Sequence, residues 1–164
     1  MINHVSFCAN IIKLKSSGFI PKVGLILGSG LGSFAQQVEV TSKISFEDLS
    51  GFPKAGVGGH AGQLILGYIE GTKVAILQGR AHYYEHGKAD AMSVAIRTLK
   101  EIGCKSLVLT NAAGAINKNV NPGDLMLITD HINMTGVSPL FGEIFSPSEI
   151  FFGKRVEWKA LSGP

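Results

Sequence analysis

A glycine-rich loop follows the first strongly apolar stretch of the sequence. VGLILGSGLGSFA leads from a potential buried strand into Gly28-Ser29-Gly30-Leu31-Gly32 and then towards a potential helix. The bare amides of such a loop, the Ser29 hydroxyl and the amides of the following helix could together bind an anion. The alternative is a strand-to-helix turn that uses its glycines only for their φ angles. The loop alone favours the turn.

Three better-known kinds of loop do not fit these residues. A dinucleotide fingerprint places its third glycine one residue later and has an acidic residue at the end of the next strand, and neither feature fits here. A triphosphate loop ends in Gly-Lys-Ser/Thr, and this loop has no lysine. Because Leu27 precedes Gly28, Ser29 also lacks the Gly-x-Ser-x-Gly setting of a nucleophilic serine.

Polar and small residues follow two further apolar segments. QGRAHYYEHG places Arg80 and His82 beyond one predicted strand, and LTNAAGAIN places Asn111 and Ala112 beyond another. In open α/β sheets, ligands bind at the carboxyl ends of the strands. Arginine offers a planar fork of donors suited to phosphate, and His82 and Ser29 would add single hydrogen bonds. The three strand ends together therefore predict a phosphate site.

The remaining histidines allow other interpretations. His60 stands among small residues in GGHAG, where a ligand could approach the backbone closely. His82 and His86 are four residues apart, which on a helix could bind a metal. They lie in a predicted loop, however, and Glu85 does not complete a zinc-protease pattern. We therefore expect no metal site.

The elements that would position these residues alternate between strands and helices. Apolar spacing and turn residues predict two helices, one that ends at Ser16–Gly18 and one that spans Ala89–Gly103. Buried strands are predicted at Lys22–Gly28, Lys105–Asn111 and Asp124–Asp130. A hairpin is predicted at Gln63–Gly79, with its turn near Glu70–Gly71. Strands mixed with helices indicate an α/β fold with a mostly buried sheet.

Composition narrows the class of protein. The 164 residues are 45% hydrophobic and 16% charged, which favours one globular domain over residues 1–164. The net charge of +3 is spread along the chain, so we expect no nucleic-acid partner. Cys8 and Cys104 are predicted to be reduced thiols. Neither a signal peptide nor a membrane span is evident, so we expect a soluble, cytoplasmic protein.

Five sequence blocks resemble one family. The blocks are GLILGSGLGSFA, GHAGQL, QGRAHYYE, LVLTNAAGAIN and GDLMLITDHINMTG. In order and spacing they are similar to signature blocks of the trimeric purine nucleoside phosphorylases, over about residues 21–136. The resemblance implies a phosphorylase-type central mixed β-sheet flanked by helices. It implies phosphorolysis of purine nucleosides by inorganic phosphate to free base and ribose 1-phosphate. It also implies a homotrimer without metal or organic cofactor.

The resemblance also assigns roles to individual residues. It implies that phosphate is held by Ser29, His60, Arg80, His82 and the backbone amide of Ala112. It also implies that His60 and His82 are the catalytic residues. His60 would in addition lie near the ribose 5′ region, and Tyr84 would pack near the ribose.

The sequence departs from the family towards its end. Members of the family typically continue for over a hundred residues, and that part supplies the purine-reading residues, which cannot be assigned in this sequence. Residues 137–164 follow the family poorly, so the pattern is that of a domain incomplete at its C-terminus. Two alternatives stay open, a methylthioadenosine phosphorylase and a non-catalytic remnant that binds anions or longer relatives. A redox dinucleotide domain is less favoured because of the glycine spacing.

The departure from the family pattern after residue 136 predicts the activity of a chain of this length. We expect the purified 164-residue chain to bind phosphate weakly and to turn over little or no nucleoside, because no residue in it is assigned to the purine. Release of hypoxanthine from inosine in phosphate buffer measures the turnover. Robust phosphorolysis would contradict the expectation.

Overall fold

The chain divides into two compact units, Met1–Ala112 and Ala113–Pro164. The structure is a computed structural model that describes residues 3–28, 30–53, 62–130, 132 and 134–139. All helices and strands found among these residues belong to the first unit. In this described part of the chain, no helix combines the length and the apolar character needed to cross a bilayer.

The first unit is built around one mixed sheet. In chain order, its elements are α1 (His4–Lys15), β1 (Val23–Ile26), β2 (Glu39–Ser45), β3 (Gln63–Ile69), β4 (Thr72–Gln78), α2 (Tyr83–His86), α3 (Ser93–Glu101) and β5 (Ser106–Leu109). The five strands lie in the order β2-β3-β4-β1-β5. β1 runs parallel to both β4 and β5, whereas β3 is antiparallel to β2 and β4. The predicted α/β class is confirmed.

The three parallel strands end level with one another. Ile26, the last residue of β1, lies opposite Leu77 of β4 and Leu109 of β5. Since parallel strands present their carboxyl ends at the same edge, the segments that follow β1, β4 and β5 emerge side by side. The order of the strands places the segment after β1 between the other two.

Apolar residues on both faces of the sheet hold these strands in place. Leu66 and Leu77 belong to a buried cluster with Ile12 of α1 and Leu99 of α3. Ile65 belongs to the smaller cluster on the opposite face. Because neighbouring residues of a strand point to opposite faces, burial of both sets shows that the centre of the sheet is covered on each side.

Most of the predicted elements are present. The hairpin predicted over residues 63–79 is β3 and β4, and the strand predicted over 22–28 is β1. The helix predicted over 89–103 begins later, at Ser93, because the residues before it form a turn in which the Ser93 amide donates to the Asp90 carbonyl. It ends before Gly103, whose φ of +120° favours glycine.

Two strands differ from the prediction. The strand predicted at Asp124–Asp130 is absent, and Leu125 there is 95% exposed. An apolar run becomes a strand only when another strand completes its hydrogen-bond ladder, and these residues belong to no ladder. Conversely, β2 was not predicted, because its mostly exposed residues carry little apolar signal.

The last strand of the sheet is also less buried than predicted. β5 pairs with β1 only, so it is an edge strand of the described sheet. Two of its four residues are half-buried, and Leu109 is exposed. The run of apolar residues therefore predicted the strand correctly and its depth incorrectly.

Both cysteines are free thiols held against the larger apolar cluster. The Cys8 Sγ donates a hydrogen bond to the Ser50 carbonyl at 3.2 Å, and burial raises the pKa of the Cys8 thiol. Burial likewise raises the pKa of Cys104 from 9.0 to about 11, against the lowering effect of a backbone hydrogen bond. Burial thus keeps both thiols protonated, and poorly nucleophilic, at neutral pH.

The raised pKa of Cys104 predicts a loss of stability in alkali. Between about pH 9 and about pH 11 the unfolded thiol ionises while the folded thiol keeps its proton, so the free energy of unfolding falls as the pH rises. We expect wild type to lose stability relative to Cys104→Ala across this window in urea unfolding. At pH 7, the difference in free energy of unfolding between wild type and Cys104→Ala gives the packing cost of the substitution alone. If that difference stayed constant from pH 7 to 11, the prediction would be contradicted.

Candidate functional site

Thr110 joins the carboxyl ends of β1 and β5. Its backbone amide donates to the Ile26 carbonyl at 3.1 Å, and its hydroxyl donates to the same carbonyl at 3.2 Å. The hydroxyl also accepts a hydrogen bond from the Gly28 amide at 2.8 Å. The start of the glycine-rich loop is therefore attached to the residue that directly follows β5.

Arg80 reaches the same residue from the other side of β1. It follows β4, and its Nη1 donates to the Thr110 carbonyl at 2.8 Å. Because β1 lies between β4 and β5, the Arg80 side chain extends across the carboxyl end of β1. A carbonyl orients the guanidinium without cancelling its charge, which leaves the cation available to attract an anion.

Gly28 and Gly30 are needed for different reasons. A Cβ on Gly28 would lie 2.5 Å from the Thr110 carbonyl oxygen and 2.9 Å from the Asn111 Cα. Gly28 thus permits the close approach of two backbones, and its φ lies outside the left-handed region. Gly30 does have a positive φ, +82°. The interpretation of the loop as a turn that needs glycine only for φ therefore holds at Gly30 and fails at Gly28.

His82 is held by the short helix that follows it. Its backbone amide donates to Glu85 Oε2 at 2.8 Å, which satisfies an amide at the beginning of α2. Its ring stacks on that of Tyr84, with centroids 5.0 Å apart and an interplanar angle of 13°. His82 is half-buried and Tyr84 is 81% exposed, so the pair lies at the surface beside the end of β4.

Two adjacent tyrosines, Tyr83 and Tyr84, follow His82. An extended chain would have turned one ring inward and one outward, but both Tyr83 and Tyr84 are exposed. The loop expected around them is instead the single turn α2. In a helix adjacent residues are about 100° apart, so one turn at the surface can expose both rings.

Of the predicted phosphate ligands, the structure describes Arg80, His82 and Ala112. Ala112 is exposed and lies two residues after Thr110, so the segment that carries its amide begins at the same strand ends. Ser29 and His60 lie outside the described residues. Three strand ends are thus brought together as predicted, while the roles of the individual ligands stay predictions.

Sequence reasoning missed Thr110, which makes most of the hydrogen bonds between these segments. In LTNAAGAIN it is the first polar residue after an apolar strand, and that position was the available signal. A second unpredicted bond lies on the neighbouring strand pair, where Gln63 Nε2 donates to Gln78 Oε1 at 2.6 Å. The bonds of Thr110 join segments that are remote in the sequence, and spacing within one segment does not reveal such pairs.

The described part of the chain contains no group of three or more His, Cys, Asp or Glu side chains arranged to hold a metal ion. Cys104, the thiol with the larger pKa change, precedes β5 and therefore lies at the opposite end of that strand from Thr110. Among the described groups near the three strand ends, the Arg80 guanidinium, the His82 imidazole and the Ala112 amide are suited to binding an oxyanion.

Comparison with known sequences gives a family and several relatives. Residues 22–157 match the family model described as the Phosphorylase superfamily. Purine nucleoside phosphorylase 1 of Bacillus subtilis is 48% identical over 135 residues, which are 82% of this chain and 48% of that protein. Its namesake in Geobacillus stearothermophilus is 49% identical over the same shares. The chain spans about half the length of these curated relatives.

Two solved structures match the fold of this chain. A Schistosoma mansoni purine nucleoside phosphorylase in complex with acetate matches with a TM-score of 0.77 and 36% identity, over 98% of this chain and 58% of that one. Isoform 2 from the same organism, in complex with cytosine and ribose-1-phosphate, matches with a TM-score of 0.66 and 38% identity, over 74% and 42%.

The close approach at Gly28 predicts a selective cost of adding one methyl group. Gly28→Ala should separate the ends of β1 and β5 and lower the free energy of unfolding by about 2 kcal/mol or more. Gly32→Ala in the same loop is the matched control, since its Cβ would meet nothing within 4 Å. Urea unfolding of both variants measures the difference, and equal stabilities would rule out the close approach.

Proposed function

Because the chain belongs to the Phosphorylase superfamily, we propose that it carries the phosphate-binding part of a purine nucleoside phosphorylase. The reaction is phosphorolysis of the N-glycosidic bond of a purine ribonucleoside or deoxyribonucleoside. Inorganic phosphate is the second substrate, and the products are the free base and the pentose 1-phosphate. This activity would serve purine salvage.

The observation that carries the proposal is the position of Arg80. Its guanidinium bonds to the Thr110 carbonyl across the end of β1 and so stands at the meeting point of three strand ends. An arginine fixed there presents further N–H donors in one rigid plane, an arrangement suited to phosphate oxygens. A carboxylate partner would neutralise the charge of Arg80, whereas the Thr110 carbonyl leaves that charge in place.

The other phosphate ligands are proposed from the family resemblance. We assign hydrogen bonds to phosphate to the His82 ring, the Ser29 hydroxyl and the Ala112 amide. His82 and Ala112 belong to segments that leave β4 and β5 at this edge. His60 is assigned beside the phosphate and the ribose 5′ region, and it and His82 are proposed as the catalytic residues.

The proposed chemistry depends mainly on positioning. Phosphate is a poor nucleophile unless it is held beneath C1′ of the ribose, and holding it there converts a bimolecular step into a local one. As the bond to the purine breaks, positive charge develops on the ribose and the phosphate dianion stabilises it. Arg80 must therefore fix the anion without cancelling all of its charge. Tyr84, stacked on His82, is proposed to pack near the ribose.

The names of the relatives support the choice of substrate. The relatives in Bacillus subtilis and Geobacillus stearothermophilus are both purine nucleoside phosphorylases, and a matching Schistosoma mansoni structure contains ribose-1-phosphate. These names favour purine nucleosides over methylthioadenosine, the alternative that the sequence left open. We further propose a homotrimer in the cytoplasm that uses phosphate as co-substrate and needs no metal or organic cofactor.

Replacing the central cation tests the proposal. Arg80→Ala should weaken binding of inorganic phosphate by about 10- to 100-fold, since a hydrogen bond to a charged group contributes about 1.5–3 kcal/mol. Titration of the ¹⁵N-labelled chain with phosphate, followed by NMR at constant ionic strength, measures the change. In any preparation that turns over inosine, the same variant should raise the phosphate concentration needed for half-maximal rate.

Arg97→Ala is the matched control, because it removes the same charge from an exposed position on α3. It should leave phosphate affinity unchanged within about twofold, as expected for a charge screened by solvent and salt. Equal affinity in the wild-type and Arg80→Ala chains would refute the assignment of Arg80. Turnover of methylthioadenosine in preference to inosine would instead favour the alternative substrate.

A further inference from the structure

We propose that Thr110 is a positioning residue of the phosphate site, one that orients both the glycine-rich loop and Arg80 without touching phosphate. The inference rests on the proposed function. Thr110 makes four hydrogen bonds at this edge: its amide and its hydroxyl donate to Ile26, its hydroxyl accepts from Gly28, and its carbonyl accepts from Arg80. One residue thus couples the loop after β1 to the cation after β4.

The hydroxyl has a role separate from strand pairing. β1 and β5 are already joined at this point by the backbone bond from the Thr110 amide to the Ile26 carbonyl. The hydroxyl adds the bond from the Gly28 amide, which is the first amide of the loop. Its two bonds use the hydroxyl once as a donor and once as an acceptor, so its direction is determined from both sides. It therefore fixes where the loop begins.

The carbonyl has a complementary role for the cation. The bond to Nη1 uses one of the five N–H groups of Arg80 and restricts the directions in which the others can point. Any shift of Thr110 would consequently move the loop and the guanidinium together. Misplacement by about 1 Å is enough to impair a site that works by positioning. The close packing of Gly28 against Thr110 and Asn111 leaves little room for such a shift in the wild-type chain.

Three variants separate this role from a contribution to stability. Thr110→Val removes the hydroxyl with little change in shape, and Thr110→Ser keeps it. Thr98→Val is the matched control, because the buried Thr98 hydroxyl also donates to a backbone carbonyl, that of Val94 at 2.7 Å, inside α3. Each chain is titrated with inorganic phosphate by ¹⁵N NMR, and its thermal unfolding is recorded.

We expect Thr110→Val to weaken phosphate binding at least tenfold and Thr110→Ser to restore most of the affinity. Thr98→Val should lower the unfolding temperature and leave phosphate affinity within about twofold, since it lies away from the strand ends. Wild-type affinity in Thr110→Val would overturn the proposal. So would an equal loss in Thr110→Val and Thr110→Ser, because the hydroxyl would then be irrelevant.

A second readout distinguishes failure of this inference from failure of the proposed function. In Thr110→Val, hydrogen exchange of the Gly28 amide should accelerate at least tenfold and the guanidinium signals of Arg80 should shift. These signals need no ligand. If the wild-type chain binds no phosphate and these changes occur, the proposed function fails, while Thr110 is still shown to orient the loop and Arg80. If neither signal responds, the positioning role is overturned whatever phosphate does.

Discussion

The bond between Arg80 and the Thr110 carbonyl is the interaction on which the proposed phosphate site depends. A cation at the end of a sheet is only useful to an incoming anion if it is both fixed in place and still charged. A carboxylate partner would fix it and cancel the charge, while solvent would leave the charge and allow the side chain to move. A backbone carbonyl fixes it by a dipole alone, and because that carbonyl directly follows a paired strand, its position is set by the sheet.

The topology makes this bond available. β1 precedes β4 and β5 in the chain but lies between them in the sheet, so the glycine-rich loop emerges between two segments contributed much later. Ligand sites in open α/β sheets occur where neighbouring connections diverge in this way. The antiparallel strand β3 supports the arrangement from the other side of β4, since residues buried on both faces of these strands leave them little freedom to slide.

Much of this fold could be predicted from the sequence, and the parts that could not be predicted have identifiable physical causes. Apolar runs bounded by glycine predicted β1 and the hairpin of β3 and β4, because burial on both faces leaves a strong local pattern. β2 is mostly exposed and left no such pattern. The run Asp124–Asp130 had the pattern, but the described residues form no partner strand for it. The stacking of His82 on Tyr84 depends on a helical turn, and a short polar segment does not predict such a turn.

The glycine-rich loop shows most clearly what the structure adds to a motif. In a dinucleotide fold, a glycine of the loop lets the backbone approach the pyrophosphate of the ligand. Here the space beside Gly28 is occupied by the backbone of Thr110 and Asn111, so its missing side chain serves contact within the protein. A bulky dinucleotide therefore has no access on that side, which agrees with the unsuitable glycine spacing. The position of Arg80 instead favours a small anion held over the end of β1, between its two neighbouring strands.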